Sequence, residues 1–159
     1  MNDDLLSKYA DALWRGDIVP RDCAELERTR ALVSRIWDDI WNLGKLEACR
    51  EVFHQDYVGH LPLMTVHGPD EFANLVRMYR QGFPDVHLTV DDYIASGDRV
   101  VVRWTSRGTH EGELMGMAAS HKPMVMMGIS IFRMQDGLVA EEWEGFDTLG
   151  MMKQVGAIP

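Results

Sequence analysis

Cysteine is scarce in this chain of 159 residues, which contains Cys23 and Cys49 and no others. Two cysteines in a chain of this length do not make the disulfide framework of a small secreted protein. Long apolar runs are also missing, and the first ten residues, MNDDLLSKYA, begin with acidic side chains instead of the basic stretch of a secretory signal. We therefore expect a soluble, cytoplasmic protein that has no membrane as a partner.

Positive charge is in short supply as well. The sequence has 16 Lys and Arg against 25 Asp and Glu, which gives a net charge of -9. A surface of this sign repels phosphate backbones and anionic lipids. The composition therefore argues against nucleic acid as a partner.

Several motifs of cofactor binding and catalysis are absent from the sequence. It has no Gly-x-Gly-x-x-Gly fingerprint, no P-loop, no Gly-x-Ser-x-Gly elbow and no Cys-x-x-Cys pair. His54, His60 and His67 are spaced too irregularly to form a helical pair of metal ligands. The sequence therefore predicts no nucleotide cofactor, no metal ion and no serine hydrolase.

The first half of the sequence has the apolar spacing of helices. Four helices are predicted, over residues 5–14, 32–41, 46–53 and 69–82. Gly16 and Pro20 end the first, and Asn42 to Gly44 end the second. The fourth begins at Pro69, which suits the first turn of a helix, and stops at Gly82.

After Pro84 the sequence changes to short runs of β-branched and aromatic residues separated by turns. The runs are VHLTVDDYIA, VVVRWTSRG, MVMMGISIF and LVAEEWEGF. Asp136-Gly137 lies between the last two and predicts a hairpin, because such a turn needs the positive φ that glycine adopts easily. Helices followed by strands predict an α+β fold, with the helices packed on one face of a curved antiparallel or mixed sheet.

Four stretches in fixed order resemble the SnoaL-like polyketide cyclases, a family of the NTF2-like superfamily. They are F-P-D, G-D-R-V-V-x-R-W, G-T-H-x-G and F-R-x-x-D-G, and the similarity extends over about residues 30 to 156. The resemblance implies a cone-shaped fold in which the sheet wraps around the helices and encloses a pocket. It also implies a homodimer formed through the outer face of the sheet. Residues 1–28 are then an N-terminal helical extension, and residues 29–159 are the SnoaL-like domain.

The resemblance also implies a chemistry. In the characterised cyclases of this family, a carboxylate on the last strand is the general acid/base of an intramolecular aldol ring closure that uses no metal or cofactor. This carboxylate corresponds to Glu144, a glutamate where those enzymes have an aspartate. Gly128 and Ser130 stand where the anthracycline-pathway cyclases present polar side chains, which argues against their substrate for this chain. Related sequences also place a pocket-facing histidine at the position of His60, so we expect His60 to stabilise an enolate or move a proton.

The acids of the last strand divide between its two faces. Glu142 and Glu144 share one face, and Glu141 and Trp143 share the other, because side chains alternate along a strand. If the face of Glu144 lines the pocket, burial raises the pKa of its carboxyl and makes it a better base near neutral pH. Glu142 is expected at the rim or in solvent, in reach of the substrate. Asp147 precedes a short helical stretch and is expected to cap it.

Five residues are predicted to bind the substrate: Tyr57, Trp104, Met126, Ser130 and Glu142. Trp104 lies on the apolar face of its strand, opposite Arg103, and either packs in the core or forms a wall of the pocket. Arg103 is expected to pair with an acid on the surface. Flexible methionines suit a large apolar or aromatic ligand in the pocket.

Our leading hypothesis is a cofactor-free enzyme in which Glu144 removes a proton α to a carbonyl of a polyketide-like substrate and His60 assists the enolate. Two other functions stay open. Epoxide hydrolysis would need an Asp-Arg-Asp group, and its Arg-x-Asp pair is missing from MVMMGISIF. A non-catalytic protein that binds a small ligand would use the same fold, and Gly128 and Ser130 favour that alternative.

Overall fold

Helices open the part of the chain that the structure describes, residues 23–159 of a computed structural model. Helix α1 (Cys23–Arg35) continues directly into a π-helical segment (Ile36–Asn42). The segment ends before Gly44, whose φ of 69° no helix allows. The predicted stop at Asn42 to Gly44 is therefore confirmed. The predicted leading helix over residues 5–14 lies outside the described residues, and the domain boundary after residue 28 stays a prediction.

Two further helical regions follow within residues 46–82. A 3₁₀ turn (Leu46–Ala48) leads into the short helix α2 (Cys49–Val52), and helix α3 covers Gly68–Gly82. Pro69 stands in the first turn of α3, as predicted. Arg80 near its end bonds to the carbonyl oxygens at the end of the π-helical segment, which fixes that segment against α3.

Within residues 23–159 six strands form a single sheet in the order β2-β1-β6-β5-β4-β3. The strands are β1 (Phe53–Leu61), β2 (Met64–His67), β3 (His87–Ser96), β4 (Arg99–Thr109), β5 (Pro123–Gln135) and β6 (Leu138–Phe146). Strand β1 runs parallel to β6, and the other neighbours are antiparallel. The predicted α+β class with a curved, mixed sheet is confirmed.

The sequence did not predict strands β1 and β2. Strand β1 is irregular, because its register with β6 shifts between Phe53 and Val58. Phe53 and Tyr57 are buried, whereas Gln55, which a regular alternation would bury with them, is exposed. Strand β2 is only four residues long and lies at the edge of the sheet. Neither pattern resembles the regular alternation that identifies a strand in a sequence.

The predicted hairpin at Asp136-Gly137 is confirmed, and it joins β5 to β6. Both residues have positive φ, 53° for Asp136 and 79° for Gly137. This conformation belongs to the tight turns whose twist matches that of the flanking strands. The turn and a register shift between Arg133 and Met134 together bring Ser130 opposite Glu144.

The core lies between the inner face of the sheet and the helices. Trp37 of the π-helical segment meets Phe132 of β5 edge to face, with 5.8 Å between ring centroids. Phe53, Tyr57 and Phe72 form a second aromatic cluster where α3 crosses β1. Both clusters border the cavity described below.

Helix α4 (Thr148–Val155) follows the sheet. The Asp147 carboxylate accepts a hydrogen bond of 2.8 Å from the Gly150 amide, which confirms the predicted cap. Gln154 bonds to both backbone groups of Val125, so the helix is fixed to strand β5. None of the helices in residues 23–159 is long and apolar enough to cross a membrane.

Candidate functional site

The inner face of the sheet and the helices enclose an apolar pocket. Its walls include the aromatic side chains Trp37, Trp41, Phe72 and Trp104. Only about 40 Å³ of the pocket admits the centre of a water molecule. That is room for roughly three waters, so the pocket is narrow.

Strand β6 carries the two acids that reach this pocket. Glu142 and Glu144 both line the pocket, whereas Glu141 and Trp143 contact residues on the outer face of the sheet. The predicted division of faces is confirmed. Glu144 is half-buried, but Glu142 is only 3% exposed, so its predicted position at the rim or in solvent is wrong. Glu142 pairs with Gly59 of the neighbouring strand β1, and its carboxyl is covered by the side chain of Tyr57 from that strand.

Tyr57 holds the buried carboxylate of Glu142. Its hydroxyl donates a hydrogen bond of 2.5 Å to Glu142 Oε2. The Tyr57 side chain is fully buried, and a Cβ at Gly59 would collide with its hydroxyl oxygen. Glycine at position 59 therefore lets the phenol reach the acid. Tyr57 itself is not among the residues that line the pocket.

A chain of hydrogen bonds leads to Glu144 from the other side. Trp104 Nε1 lies 3.1 Å from Ser130 Oγ, and Ser130 Oγ lies 3.2 Å from Glu144 Oε1. Indole N–H can only donate, so the Ser130 oxygen accepts from Trp104 and its own proton is directed at Glu144. Trp104 thus belongs both to the core and to the pocket wall.

Gly128 makes the position of Trp104 possible. A Cβ at residue 128 would overlap the six-membered ring of the indole. The space that the missing side chain at Gly128 leaves is therefore filled by the indole of Trp104, which takes up room inside the pocket.

The environment of both acids favours their protonated forms. Burial raises the pKa of Glu142 to about 7, and hydrogen bonds from Tyr57 and Ser130 oppose that shift. Burial and then the charge of Glu142 raise the pKa of Glu144 well above its ordinary value, against the hydrogen bond from Ser130. Because the two groups interact, their titration is a property of the pair. Near neutral pH the pair keeps a proton that two isolated glutamates would lose.

Two tyrosines stay protonated beside this pair. Burial, and then the charge of Glu142, raises the pKa of Tyr57 well above its ordinary value. Burial raises the pKa of Tyr79 to about 12, with a smaller contribution from the charge of Glu144. Tyr79 lines the pocket and can donate a hydrogen bond there. Tyr79 is not among the site residues that the sequence predicted.

His60 lies outside the pocket, and the expectation that it faces the ligand is wrong. Its Nε2 is 3.0 Å from Glu141 Oε1, its ring stacks on Trp143, and its side chain is 42% exposed. Arg133 Nε bonds to the other oxygen of Glu141 at 3.0 Å. His60 pairs with Trp143 in the register of β1 and β6, which places both side chains on the outer face.

The remaining predicted residues divide between the two faces of the sheet. Met126 and Ser130 line the pocket, as does Trp104. Arg103 points outward and pairs with Asp91 at 3.1 Å, as predicted. Among the described residues no Arg, Lys or His lines the pocket, so these residues do not form the Asp-Arg-Asp group of an epoxide hydrolase. No group of three or more His, Cys, Asp and Glu in residues 23–159 is placed to hold a metal ion.

Residues 31–155 match the SnoaL-like polyketide cyclases, which is most of the chain. The chain belongs to the SnoaL-like polyketide cyclase family. Its sheet, its helices and its enclosed pocket are those of the NTF2-like fold.

Individual SnoaL-like relatives support this membership. Aklanonic acid methyl ester cyclase DnrD of Streptomyces peucetius is 28% identical over 124 residues, which cover 74% of this chain and 84% of the relative. The structure of IdmH from Streptomyces antibioticus, a proposed polyketide cyclase, superimposes with a TM-score of 0.71 at 28% identity, covering 80% of this chain and 98% of IdmH. A structure from Jannaschia sp. CCS1 assigned to the same family has a TM-score of 0.76 at 24% identity and covers 84% of this chain and 94% of that one. The Jannaschia structure supports the fold.

The SnoaL-like pocket of this chain thus combines features that the sequence predicted with others that it missed. Glu144, Ser130, Trp104 and Met126 were predicted and line the pocket together. The buried Tyr57–Glu142 pair was missed, because strand β1 was not recognised. Without β1, no sequence pattern brings residue 57 to residue 142.

Proposed function

We propose that the protein is an enzyme that closes a ring in a polyketide-like carbonyl compound by an aldol reaction, with Glu144 as the general acid/base. The observation that carries this proposal is the half-buried carboxyl of Glu144, which lines an enclosed pocket with apolar walls. Its raised pKa brings the gain and loss of a proton closer to neutral pH. The relative DnrD and the family are both named as cyclases, which supports ring closure as the type of reaction.

The proposed reaction needs one proton to move twice. In its ionised form, Glu144 takes a proton from the carbon next to a carbonyl, and the C–H electrons form an enolate. The enolate carbon then attacks a second carbonyl of the same molecule, which forms the ring C–C bond and leaves an alkoxide. Glu144 returns the proton to that oxygen. Substrate and product are isomers, and the sequence uses no external oxidant or reductant.

Other side chains of the pocket assist in the proposal. Tyr79 is the hydroxyl that donates to the enolate oxygen, a role that His60 cannot take from the outer face. Ser130, held by Trp104, orients the Glu144 carboxylate through its hydrogen bond. Met126 and the aromatic walls contact the apolar part of the substrate.

The pocket also suggests the charge of its ligand. Its described lining has two carboxyl groups and no basic side chain, so a ligand that carries a free carboxylate would be repelled. A neutral carbonyl compound meets no such penalty. We therefore propose a neutral, apolar or aromatic substrate.

A non-catalytic binding protein is the second candidate. The observation that favours it is the narrow cavity, because a fused-ring substrate fits only if side chains such as Trp104 move. Such a protein would bind a small apolar compound and leave its protons in place. Binding and chemistry therefore have to be measured on the same compounds.

Ring closure can be tested with open-chain 1,5-diketones and longer poly-β-ketones. Compounds that raise the melting temperature of the protein are incubated with it, and the products are separated by chromatography and mass spectrometry. The proposal predicts a product of unchanged mass and new retention time, formed at least about 100-fold more slowly by Glu144→Gln. Glu141→Gln is the matched control, because it makes the same change on the outer face of β6. Binding without any isomer, for every compound that binds, would favour the second candidate.

We further propose that the protein is located in the cytoplasm.

We also propose that the protein is a homodimer. Four successive outward residues of β5 are apolar and exposed: Val125, Met127, Ile129 and Ile131. Strand β5 lies between β4 and β6, so this stripe crosses the middle of the outer face. A second copy of the chain would remove it from water.

A further inference from the structure

Glu142 is a buried acid to which the proposed reaction gives no role. It is 3% exposed, it stands two residues before Glu144 on the same face of β6, and both line the pocket. Neighbours at this spacing on one face of a strand are close enough for their charges to interact strongly in a buried site. A buried acid is costly unless it has a partner, so the position calls for an explanation.

Tyr57 supplies the partner. Its hydroxyl donates to Glu142 Oε2 at 2.5 Å, which is the length of a strong hydrogen bond to a charged acceptor. A hydroxyl that donates to a carboxylate stabilises its ionised form. Glu144 has a weaker partner, the Ser130 hydroxyl at 3.2 Å. Of the two acids, Glu142 is therefore the one whose charge the geometry stabilises better.

Among the described residues that line the pocket, no side chain would neutralise a second charge. The titratable groups that face the pair are Tyr57 of β1 and Tyr79 of α3, and Cys49 of α2 affects Tyr57. All three are buried and neutral near pH 7, because burial raises their pKa values. No basic side chain is among the described residues that line the pocket. A charge on Glu142 therefore acts on Glu144 without compensation.

We propose that Glu142, anchored by the Tyr57 hydroxyl, is a positioning residue that keeps a negative charge beside Glu144 and so sets the pH at which Glu144 gives up its proton. This inference rests on the proposed role of Glu144 as the group that transfers the proton. Trp104 and Ser130 fix the position of Glu144, and Tyr57 fixes the position and charge of its neighbour. The two acids then titrate as a pair in which Glu144 releases its proton after Glu142, and Glu144 acts as the base once it is ionised.

We expect two variants to lower the pH at which Glu144 ionises. Glu142→Gln removes the charge and keeps an oxygen that can accept from Tyr57. Tyr57→Phe keeps the acid but removes the donor, so the shared proton moves to Glu142. In both variants Glu144 should ionise at lower pH, by about one pH unit or more.

The test is a ¹³C NMR titration of protein labelled at the glutamate side-chain carboxyl carbon. The Glu144 signal is assigned by its absence from Glu144→Gln, and its midpoint is measured in wild type, Glu142→Gln, Tyr57→Phe and the control Glu141→Gln. A lower midpoint in the first two variants and an unchanged one in Glu141→Gln would support the inference. An unchanged Glu144 midpoint in Glu142→Gln would overturn it. If Glu142→Gln does not fold, an unchanged midpoint in Tyr57→Phe overturns it instead.

The titration also separates this inference from the proposed reaction, because it needs no substrate. If ring closure occurs, its pH profile should move with the Glu144 midpoint, whereas a merely structural role for Glu142 would lower the rate without moving the profile. If the midpoint moves and no compound reacts, the inference on Glu142 stands and the proposed function fails.

Discussion

At the scale of single residues, Gly128 leaves the space in which the Trp104 indole lines the pocket. The Trp104 indole lies where the side chain of any other residue at position 128 would be, and from there it donates to Ser130. Gly128→Ala should displace the indole, break this hydrogen bond and destabilise the protein by about 1–3 kcal/mol. Urea unfolding and near-UV circular dichroism measure both effects.

Gly145→Ala is the control for this prediction. Gly145 pairs with Ile129 on the outer face of β6, and a Cβ there would meet open space. The stability of this variant should stay close to that of wild type. Equal effects at positions 128 and 145 would contradict the account of Trp104.

Glu142 gives a second prediction at this scale, on stability and pH. The folded state raises the pKa of this carboxyl from 4.5 to about 7. Between these pH values the folded state holds a proton that the unfolded chain releases, and above about pH 7 Glu142 carries the charge that acts on Glu144. The resulting stabilisation is complete below about pH 4.5 and is lost as pH rises through 7, an effect on the order of 3 kcal/mol. Glu142→Gln should therefore lose less stability than wild type between pH 5 and pH 8.

Urea unfolding at the two pH values measures this difference. Glu141→Gln serves as the control, because hydrogen bonds from His60 and Arg133 lower the pKa of Glu141 and give its contribution the opposite sign. Parallel losses of stability in wild type and Glu142→Gln would show that the Glu142 proton does not contribute.

At the scale of elements, the stability of helix α4 depends on its N-cap residue, Asp147. Asp147 accepts from the Gly150 amide, and the left-handed Gly156 ends the helix after two turns. Asp147→Ala should destabilise the protein by about 1 kcal/mol, whereas Asp147→Asn should retain most of the stability. Thermal unfolding of the two variants measures the difference. Equal losses would mean that charge, and not the capping hydrogen bond, matters at this position.

The helices and strands differ in whether the sequence could predict them. Helix α3 and strands β3 to β6 have regular apolar spacing and strong turn signals, and the structure confirms them. Strand β1 has a shifted register and pairs in parallel with β6, a strand about 80 residues away, so no local pattern identifies it. Because β1 was not predicted, the positions of Glu142 and His60 were both predicted wrongly. Without β1, Glu142 had no visible partner and the outward direction of His60 could not be known.

At the scale of the whole molecule, the outer face of the sheet predicts an oligomer. Met127 is 64% exposed at the centre of the apolar stripe on β5. If a second copy covers the stripe, Met127→Glu should give a monomer, because a buried charge without a partner is costly. Light scattering after size exclusion would measure the mass. Leu63→Glu, exposed in the turn between β1 and β2, is the control and should leave the mass unchanged. A monomeric wild type at micromolar concentration would contradict this prediction.

The sheet and the helices place the carboxyl of Glu144 in an apolar pocket, and proton transfer by that carboxyl is the most direct reaction to measure. Apolar 1,3-diketones that bind the protein are placed in D₂O, and NMR follows deuterium uptake at the carbon between the carbonyl groups. We expect wild type and Glu141→Gln to accelerate this uptake, and Glu144→Gln to accelerate it at least about 100-fold less. Equal uptake with wild type and Glu144→Gln, for a compound that binds both, would contradict this expectation.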